Sequence, residues 1–197
     1  RTILIHEGFE DGFMPPTGWM TKVGDDDANG LFEWEIKDIK YSNPLDVDDG
    51  RYSAWVDSPE SERDEWLLSP AINTEGLSNL KLSFRANSDT NWAKWGGATV
   101  KVWVTKANGE VITEFSSEPL WDMNRDEIWS NVEYRSVFVD LNDFADYDEE
   151  IRVAWQYVGG IGQVFGLDLI DIGSYVLGGV PWISSIAPME GNVASQE

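Results

Sequence analysis

Short runs of alternating apolar and polar residues extend along the chain to residue 172, separated by Gly, Pro, Asn and Asp. Alternation with period two is typical of strands that bury one face, and turn residues about every 8–12 positions are typical of an all-β sandwich. No long apolar stripe recurs at helical spacing. The pattern predicts strands at residues 3–5, 32–39, 52–56, 66–68, 80–86, 99–105, 110–115, 133–140, 151–158 and 163–172. We therefore predict one antiparallel β-sandwich domain over residues 1–173.

An apolar extension of residues 174–197 follows the predicted sandwich. Such a segment can fold back on its own sandwich, or it can add a strand to an exposed sheet edge of a neighbouring subunit. Both alternatives stay open at this point. A head-to-tail contact that does not close would produce a fibre or tube. The candidate contact residues of the extension are Tyr175, Leu177, Trp182 and Ile183.

The composition excludes several classes of site. The chain has 14 basic and 36 acidic residues and a net charge of −22, so nucleic acid is a poor partner. Bound divalent cations or a saline habitat would both relieve the repulsion between these charges. Without cysteine the chain lacks thiolate sites and disulfides, and His6 as the single histidine leaves little for multi-histidine zinc sites or Ser-His-Asp catalysis. No apolar run is long enough to predict a membrane span.

An acidic loop offers a candidate metal site. Asp25, Asp27 and Asn29 alternate and end on Gly30, which is the spacing of oxygen ligands in a calcium loop. The glutamate that an EF-hand requires at position 12 is absent, because Ile36 stands there. The loop is therefore either a related calcium loop completed from elsewhere in the chain or a solvated acidic turn.

Nine of the 11 tryptophans divide into two groups by the pattern around them. Those that alternate with polar residues in predicted strands are expected in the core or half in it, and they are Trp19, Trp34, Trp66, Trp103 and Trp155. Others are expected in loops, where they would pack locally, bury at a subunit interface or stack on sugar rings. The predicted loop tryptophans are Trp92, Trp95, Trp121 and Trp129.

Several segments resemble one known family in their order and spacing. They are residues 3–12, 16–19, 25–30, 65–70, 80–86 and 165–172. Together they resemble the cleaved-adhesin domain, also called the choice-of-anchor J domain, over about residues 3–173. The resemblance implies a jelly-roll β-sandwich that is secreted, non-catalytic and often stabilised by calcium.

The resemblance also implies which residues hold the metal. In such domains a glutamate of the first strand and an aspartate of the last strand meet at one cation. Carried over to this chain, the pair is Glu7 or Glu10 with Asp168. The loop that contains Asp25, Asp27 and Asn29 would complete that site or hold its own ion. Asp57, at the end of a predicted strand, is a further candidate. We expect calcium as the bound ion.

Two functions follow as hypotheses. The first is a secreted, calcium-stabilised structural or adhesive protein that assembles with copies of itself into an extracellular filament or tube. The second is a carbohydrate-binding or adhesion module of a secreted hydrolase, with a polysaccharide or cell surface as its partner. We expect no enzymatic activity, because nothing in the sequence sets a carboxylate pair at the separation that glycosidases need. The chain begins at Arg1 inside a predicted strand, as a processed extracellular protein would.

Overall fold

The computed structural model describes residues 2–24, 27–28, 30–32, 34–38, 40, 48–56, 61–88, 97–107, 118–126, 133–146, 148, 150–160 and 164–174. These residues form two antiparallel sheets, so the prediction of an all-β antiparallel sandwich is confirmed. The strands are β1 (Thr2–Glu7), β2 (Met20–Val23), β3 (Glu35–Asp38), β4 (Tyr52–Val56), β5 (Arg63–Leu68), β6 (Leu80–Ser88), β7 (Ala98–Lys106), β8 (Trp121–Asp122), β9 (Arg135–Asp140), β10 (Ile151–Gly159) and β11 (Phe165–Ser174).

The six-stranded sheet is organised around β11. Strand β6 pairs along one side of β11, and β9 pairs with β6. The other side of β11 is shared, because β4 pairs with residues 165–167 and β1 pairs with residues 170–174. Strand β3 extends the sheet beyond β4. Between the two shared stretches the register of β11 shifts, and Leu169 adopts a φ of 44° there.

The five-stranded sheet has the order β2-β5-β10-β7-β8. Its central strand β10 is in register with both neighbours, since Trp155 lies opposite Val102 of β7 and Leu67 of β5. All three side chains are buried in the main core between the sheets. Residues directly opposite each other on antiparallel strands point to the same face. This register therefore also determines which side chains share the outer face of the sheet.

Aromatic rings fill the centre of the core. Phe84 of β6 packs edge-on against Trp155 at a centroid distance of 5.8 Å and against Trp121 at 5.3 Å. Trp19 continues the stack from Trp155 at 5.7 Å. The prediction that Trp121 is a loop residue available to a ligand or an interface is wrong. Trp121 lies on β8, where alternation turns its side chain inward, and it is buried in the core.

Most of the predicted strands are present, with shifted ends. The strand predicted at residues 32–39 is reduced to β3. The strand predicted at residues 66–68 begins earlier, because β5 starts at Arg63 and buries both Arg63 and Glu65. Strands β2 and β8 were not predicted. The predicted strand at residues 110–115 and the extension residues Tyr175, Leu177, Trp182 and Ile183 lie outside the described residues. In the described part of the chain, no helix has the length and apolarity that a membrane span requires.

Candidate functional sites

A carboxylate cluster lies where β1 ends and β4 begins beside β11. Glu7, the last residue of β1, pairs with Ile170, and Ala54 of β4 pairs with Leu167. The two strands therefore meet end to end at the level of Asp168. The sheet can change partners at this point because β11 is locally irregular.

Asp168 is fully buried and accepts three backbone hydrogen bonds. Its Oδ2 accepts from the N–H groups of Asp48 and Asp49, each at 3.2 Å, and its Oδ1 accepts from Leu169 N–H at 2.8 Å. Opposite Asp168 on β6, Arg85 donates two hydrogen bonds to the Asp48 carboxylate at 2.7 and 2.9 Å. The Arg85 guanidinium thus holds Asp48, which lies at one end of residues 48–52.

Glu10 holds the other end of the same segment. Arg51 N–H donates to both carboxylate oxygens of Glu10 at 2.9 and 3.1 Å, and Tyr52 N–H donates to Oε1 at 3.1 Å. Gly50 allows this close approach: its φ is 64°, and a Cβ there would overlap the Glu10 carboxylate. Residues 48–52 are therefore fastened by two carboxylates through four backbone N–H groups.

Burial shifts the ionisation of this cluster. Desolvation raises the pKa of Asp168 to about 7, and the nearby Asp48 charge adds to the shift, while the backbone hydrogen bonds oppose it. Desolvation also raises the pKa of Glu7, whose carboxylate accepts a hydrogen bond from Phe9 N–H. A carboxylate that is buried beside another negative charge favours either a proton or a bound cation.

The structure brings Glu10 and Asp168 to one short segment and places Glu7 at the end of the adjacent strand. Among the described residues, however, no three His, Asp or Glu side chains converge as a metal site. Calcium takes six to eight oxygen ligands, so these carboxylates would supply only part of a calcium shell. The predicted metal residues Asp25, Asn29 and Asp57 lie outside the described residues.

Asp27 lies in a different environment from the one expected of a calcium ligand. Its Oδ1 accepts from Gly30 N–H at 2.8 Å, and its Oδ2 accepts from Asp64 N–H at 3.1 Å. The buried guanidinium of Arg63 lies 4.0 Å from Oδ1. Because a positive charge already faces this carboxylate, the contacts argue against a metal ion at Asp27 and indicate a structural link between its loop and β5.

The outer face of the five-stranded sheet carries a second aromatic cluster. The register places Trp103, Ala154, Leu68 and Met20 in one row across the sheet. The next row contains Lys101, Gln156, Trp66 and Lys22. Trp66, Leu68 and Ala154 form a buried cluster separate from the main core, and half-buried Trp103 packs against it. We call these two rows the outer aromatic face.

Hydrogen bonds fix the polar part of the outer aromatic face. The indole N–H of Trp103 donates to Gln156 Oε1 at 3.0 Å, and Gln156 Nε2 donates to Asp64 Oδ1 at 2.7 Å. The rings of Trp66 and Trp103 lie 6.3 Å apart at 45°. Trp66 is only 6 % exposed, so it supports the cluster, while Trp103 retains a larger exposed surface.

The sequence did not single out this face, because it grouped Trp66 and Trp103 with the core tryptophans. A signal was nevertheless present around Trp103. Val100, Val102 and Val104 occupy one side of β7, so the residue between Val102 and Val104 must point to the other side. The loop tryptophans Trp92, Trp95 and Trp129, which were the predicted ligand or interface residues, lie outside the described residues.

Comparison with solved structures finds the same fold in adhesin domains and in a carbohydrate-binding module. The K1 cleaved adhesin domain of Lys-gingipain from Porphyromonas gingivalis W83 matches with a TM-score of 0.61 and 19% identity, over 87% of this chain and 98% of that chain. The K3 cleaved adhesin domain matches with 0.56 and 16%, over 87% and 99%. TmCBM61, solved in complex with β-1,4-galactotriose, matches with 0.50 and 13%, over 85% and 94%.

These likenesses establish a cleaved-adhesin-like β-sandwich fold for the chain. Identities this low show the fold alone, because one β-sandwich architecture supports many functions. No protein-family model and no curated protein matches the chain.

Proposed function

We propose that the chain is an extracellular, non-catalytic adhesion domain of the choice-of-anchor J type that binds a glycan on the outer aromatic face. The observation that carries the proposal is Trp103, a half-buried indole on an outer sheet face whose N–H is held by Gln156. An indole with one fixed edge and one open side can stack on a pyranose ring without losing much side-chain entropy on binding.

The surroundings of Trp103 support this role. Gln156 and Asp64 are half-buried or buried polar groups in a hydrogen-bonded chain, so they can present fixed acceptors and donors to sugar hydroxyls. Carbohydrate-binding modules share this sandwich architecture, as the likeness to TmCBM61 illustrates. That likeness supports a sugar ligand.

Trp103→Ala should abolish retardation of the protein in native gels that contain a polysaccharide it binds. The substitution removes the stacking surface, which we expect to weaken binding at least about tenfold. The matched control is Phe138→Ala, which removes an aromatic ring that is 54% exposed on the outer face of the other sheet. If Trp103→Ala is still retarded and Phe138→Ala is not, the ligand lies on the six-stranded sheet, which contradicts the proposal.

Calcium stabilisation is the second part of the proposal. A cation held by Asp168 together with Glu7 or Glu10 would offset the negative charge that burial makes costly there. Further oxygen ligands would have to come from backbone carbonyls, water or residues outside the described ones. A cation at about 100 times its Kd would add about 2.7 kcal/mol of stability.

Self-assembly into a filament or tube is a second candidate function. It is favoured by large apolar side chains exposed in the described residues, the most exposed being Phe13 at 71%. Strand β1 also lies at an edge, because β11 is its only partner among the described strands. An open strand edge can accept a strand from another subunit.

Calcium is expected to raise the melting temperature relative to EDTA, and Asp168→Asn should remove most of that rise because it replaces a proposed ligand. Asp140→Asn, which changes an exposed carboxylate, is the control. Sedimentation velocity in the same two buffers tests assembly. The assembly candidate predicts polymers in calcium that dissociate in EDTA, and a monomer in both buffers rejects it.

A further inference from the structure

Positive charge is concentrated on the outer aromatic face of a strongly acidic protein. The chain carries a net charge of −22, yet the outer aromatic face carries Lys22 and Lys101. The charged residues next to it are Arg152, Asp64 and Asp122. Resting on the function proposed above, we propose that the glycan bound there is anionic, of the class that carries uronate carboxylates.

The cations surround the aromatic centre of the face. Lys101 and Lys22 flank Gln156 and Trp66 in one row, and Asp122 of β8 follows Lys101 at the end of that row. The two lysines stand on strands β7 and β2, which are separated by β10 and β5. Three strand spacings put their backbones about 14 Å apart. The distance suits a short oligosaccharide that crosses the strands and meets a cation near each end.

Arg152 adds a third cation one row beyond Ala154. Its Nε donates to the carbonyl oxygen of Ala107 at 2.7 Å, and its Nη1 donates to that of Ser69 at 2.6 Å. Carbonyl acceptors hold the guanidinium in place without neutralising its charge. The guanidinium is therefore a fixed positive group, carried by the row next to the one that contains Trp103.

The two carboxylates accept hydrogen bonds from neutral groups, and the charge of Arg125 also acts on Asp122. Asp122 accepts from Thr99 Oγ1 at 2.8 Å and from Asn124 N–H at 2.9 Å, and Asp64 accepts from Gln156. Asp122 lies directly opposite Lys101, but across the described ranges no ion pair joins Lys22 or Lys101 to a carboxylate. The lysine charges consequently remain available to a ligand.

The combination of groups favours an acidic glycan over a neutral one. Stacking on Trp103 requires only a sugar ring, and every pyranose supplies one. Two lysines and a fixed arginine contribute nothing specific to a neutral sugar, whereas they attract a carboxylate on each residue of a polyuronate. Because exposed charges are screened by salt, binding to such a ligand should weaken as ionic strength rises.

The test is affinity electrophoresis of the full chain in native gels containing polygalacturonate, with neutral galactan as the uncharged probe. We expect retardation by polygalacturonate, reduced about tenfold in affinity by Lys101→Glu and by Lys22→Glu. Lys81→Glu makes the same change in net charge on the outer face of the other sheet, and it should bind as the wild type does. All three variants should keep the wild-type melting temperature within a few degrees, which shows that they are folded.

The other outcomes separate the two proposals. Retardation by galactan that needs Trp103 and is insensitive to the lysines overturns the anionic class and keeps the glycan-binding function. Equal losses in Lys81→Glu and Lys101→Glu show a general charge effect and overturn the inference. If the protein binds only acidic peptides or only a second copy of the chain, the proposal that its ligand is a glycan is overturned. If neither probe retards the protein, and no polysaccharide of a wider panel does so, both proposals are overturned.

Discussion

Asp168→Ala is expected to lower the free energy of unfolding by about 3 kcal/mol at pH 5 in EDTA. The alanine leaves the backbone N–H groups of Asp48, Asp49 and Leu169 without their acceptor in a buried place. Unsatisfied buried donors cost about 1–3 kcal/mol each, and part of that cost is relieved when residues 48–52 shift toward water. Urea denaturation followed by tryptophan fluorescence measures the loss.

Asp140→Ala is the matched control for this experiment. Asp140 belongs to the same sheet and pairs with Lys81, but its carboxylate is exposed. Exposed ion pairs contribute about 0–1 kcal/mol, so the control should change little. A loss in Asp168→Ala no larger than in the control would show that Asp168 does not hold residues 48–52 in solution.

The same residue should make stability depend on pH. In the folded protein the pKa of Asp168 is raised from 3.8 to about 7, so between these values the folded state binds more protons than the unfolded state. Unfolding free energy contributed by this group therefore falls as pH rises from about 4 to about 7. The free energy of unfolding of the wild type should therefore exceed that of Asp168→Ala by less at about pH 7 than at about pH 4, when both are measured in EDTA.

Phe84→Ala is expected to cost about 3–5 kcal/mol of stability. Phe84 projects from the six-stranded sheet and packs edge-on against Trp155 and Trp121 of the five-stranded sheet. The substitution removes two aromatic contacts and leaves a cavity between the layers, where the surrounding strands cannot close. Chemical denaturation measures the change, and near-ultraviolet circular dichroism should also report the altered tryptophan environments.

Phe138→Ala serves as the control for ring removal. Phe138 lies on the neighbouring strand β9, but it points outward and is 54% exposed. Exposed substitutions usually change stability by less than about 0.5 kcal/mol. Similar losses at both positions would contradict the placement of Phe84 at the centre of the sandwich.

The sequence predicted the sandwich because most strands carry regular alternation, as in Leu80–Ser88 and Ala98–Lys106. It missed β2 because that strand is only four residues long and half exposed, so its pattern is weak. It missed the buried Arg63 and Glu65 because charged residues next to a loop normally indicate solvent. Only the folded arrangement shows that both are buried on β5, with Arg63 3.9 Å from Glu65 and 4.0 Å from Asp27.

The two candidate sites differed in how far the sequence could predict them. The resemblance paired Glu7 or Glu10 with Asp168, and the structure brings Glu10 and Asp168 to one segment, residues 48–52. The sequence could not show that backbone N–H groups of residues 48–52 donate hydrogen bonds to the carboxylate oxygens of Glu10 and Asp168. Those contacts join residues more than 30 positions apart. For the outer aromatic face, alternation could orient Trp103, but its proximity to Trp66 depends on the order β5-β10-β7, which the sequence does not specify.

The measurement that most directly tests the outer aromatic face as the ligand site is a titration of the tryptophan indole N–H signals by nuclear magnetic resonance. Eleven indole signals are expected, and Trp103→Phe and Trp66→Phe assign the two that matter. On addition of a glycan that retards the protein in gels, the Trp103 indole and the Gln156 side-chain amide should shift, because they share a hydrogen bond at the ligand face. Shifts of other indole signals with those of Trp103 and Gln156 unchanged would contradict the account.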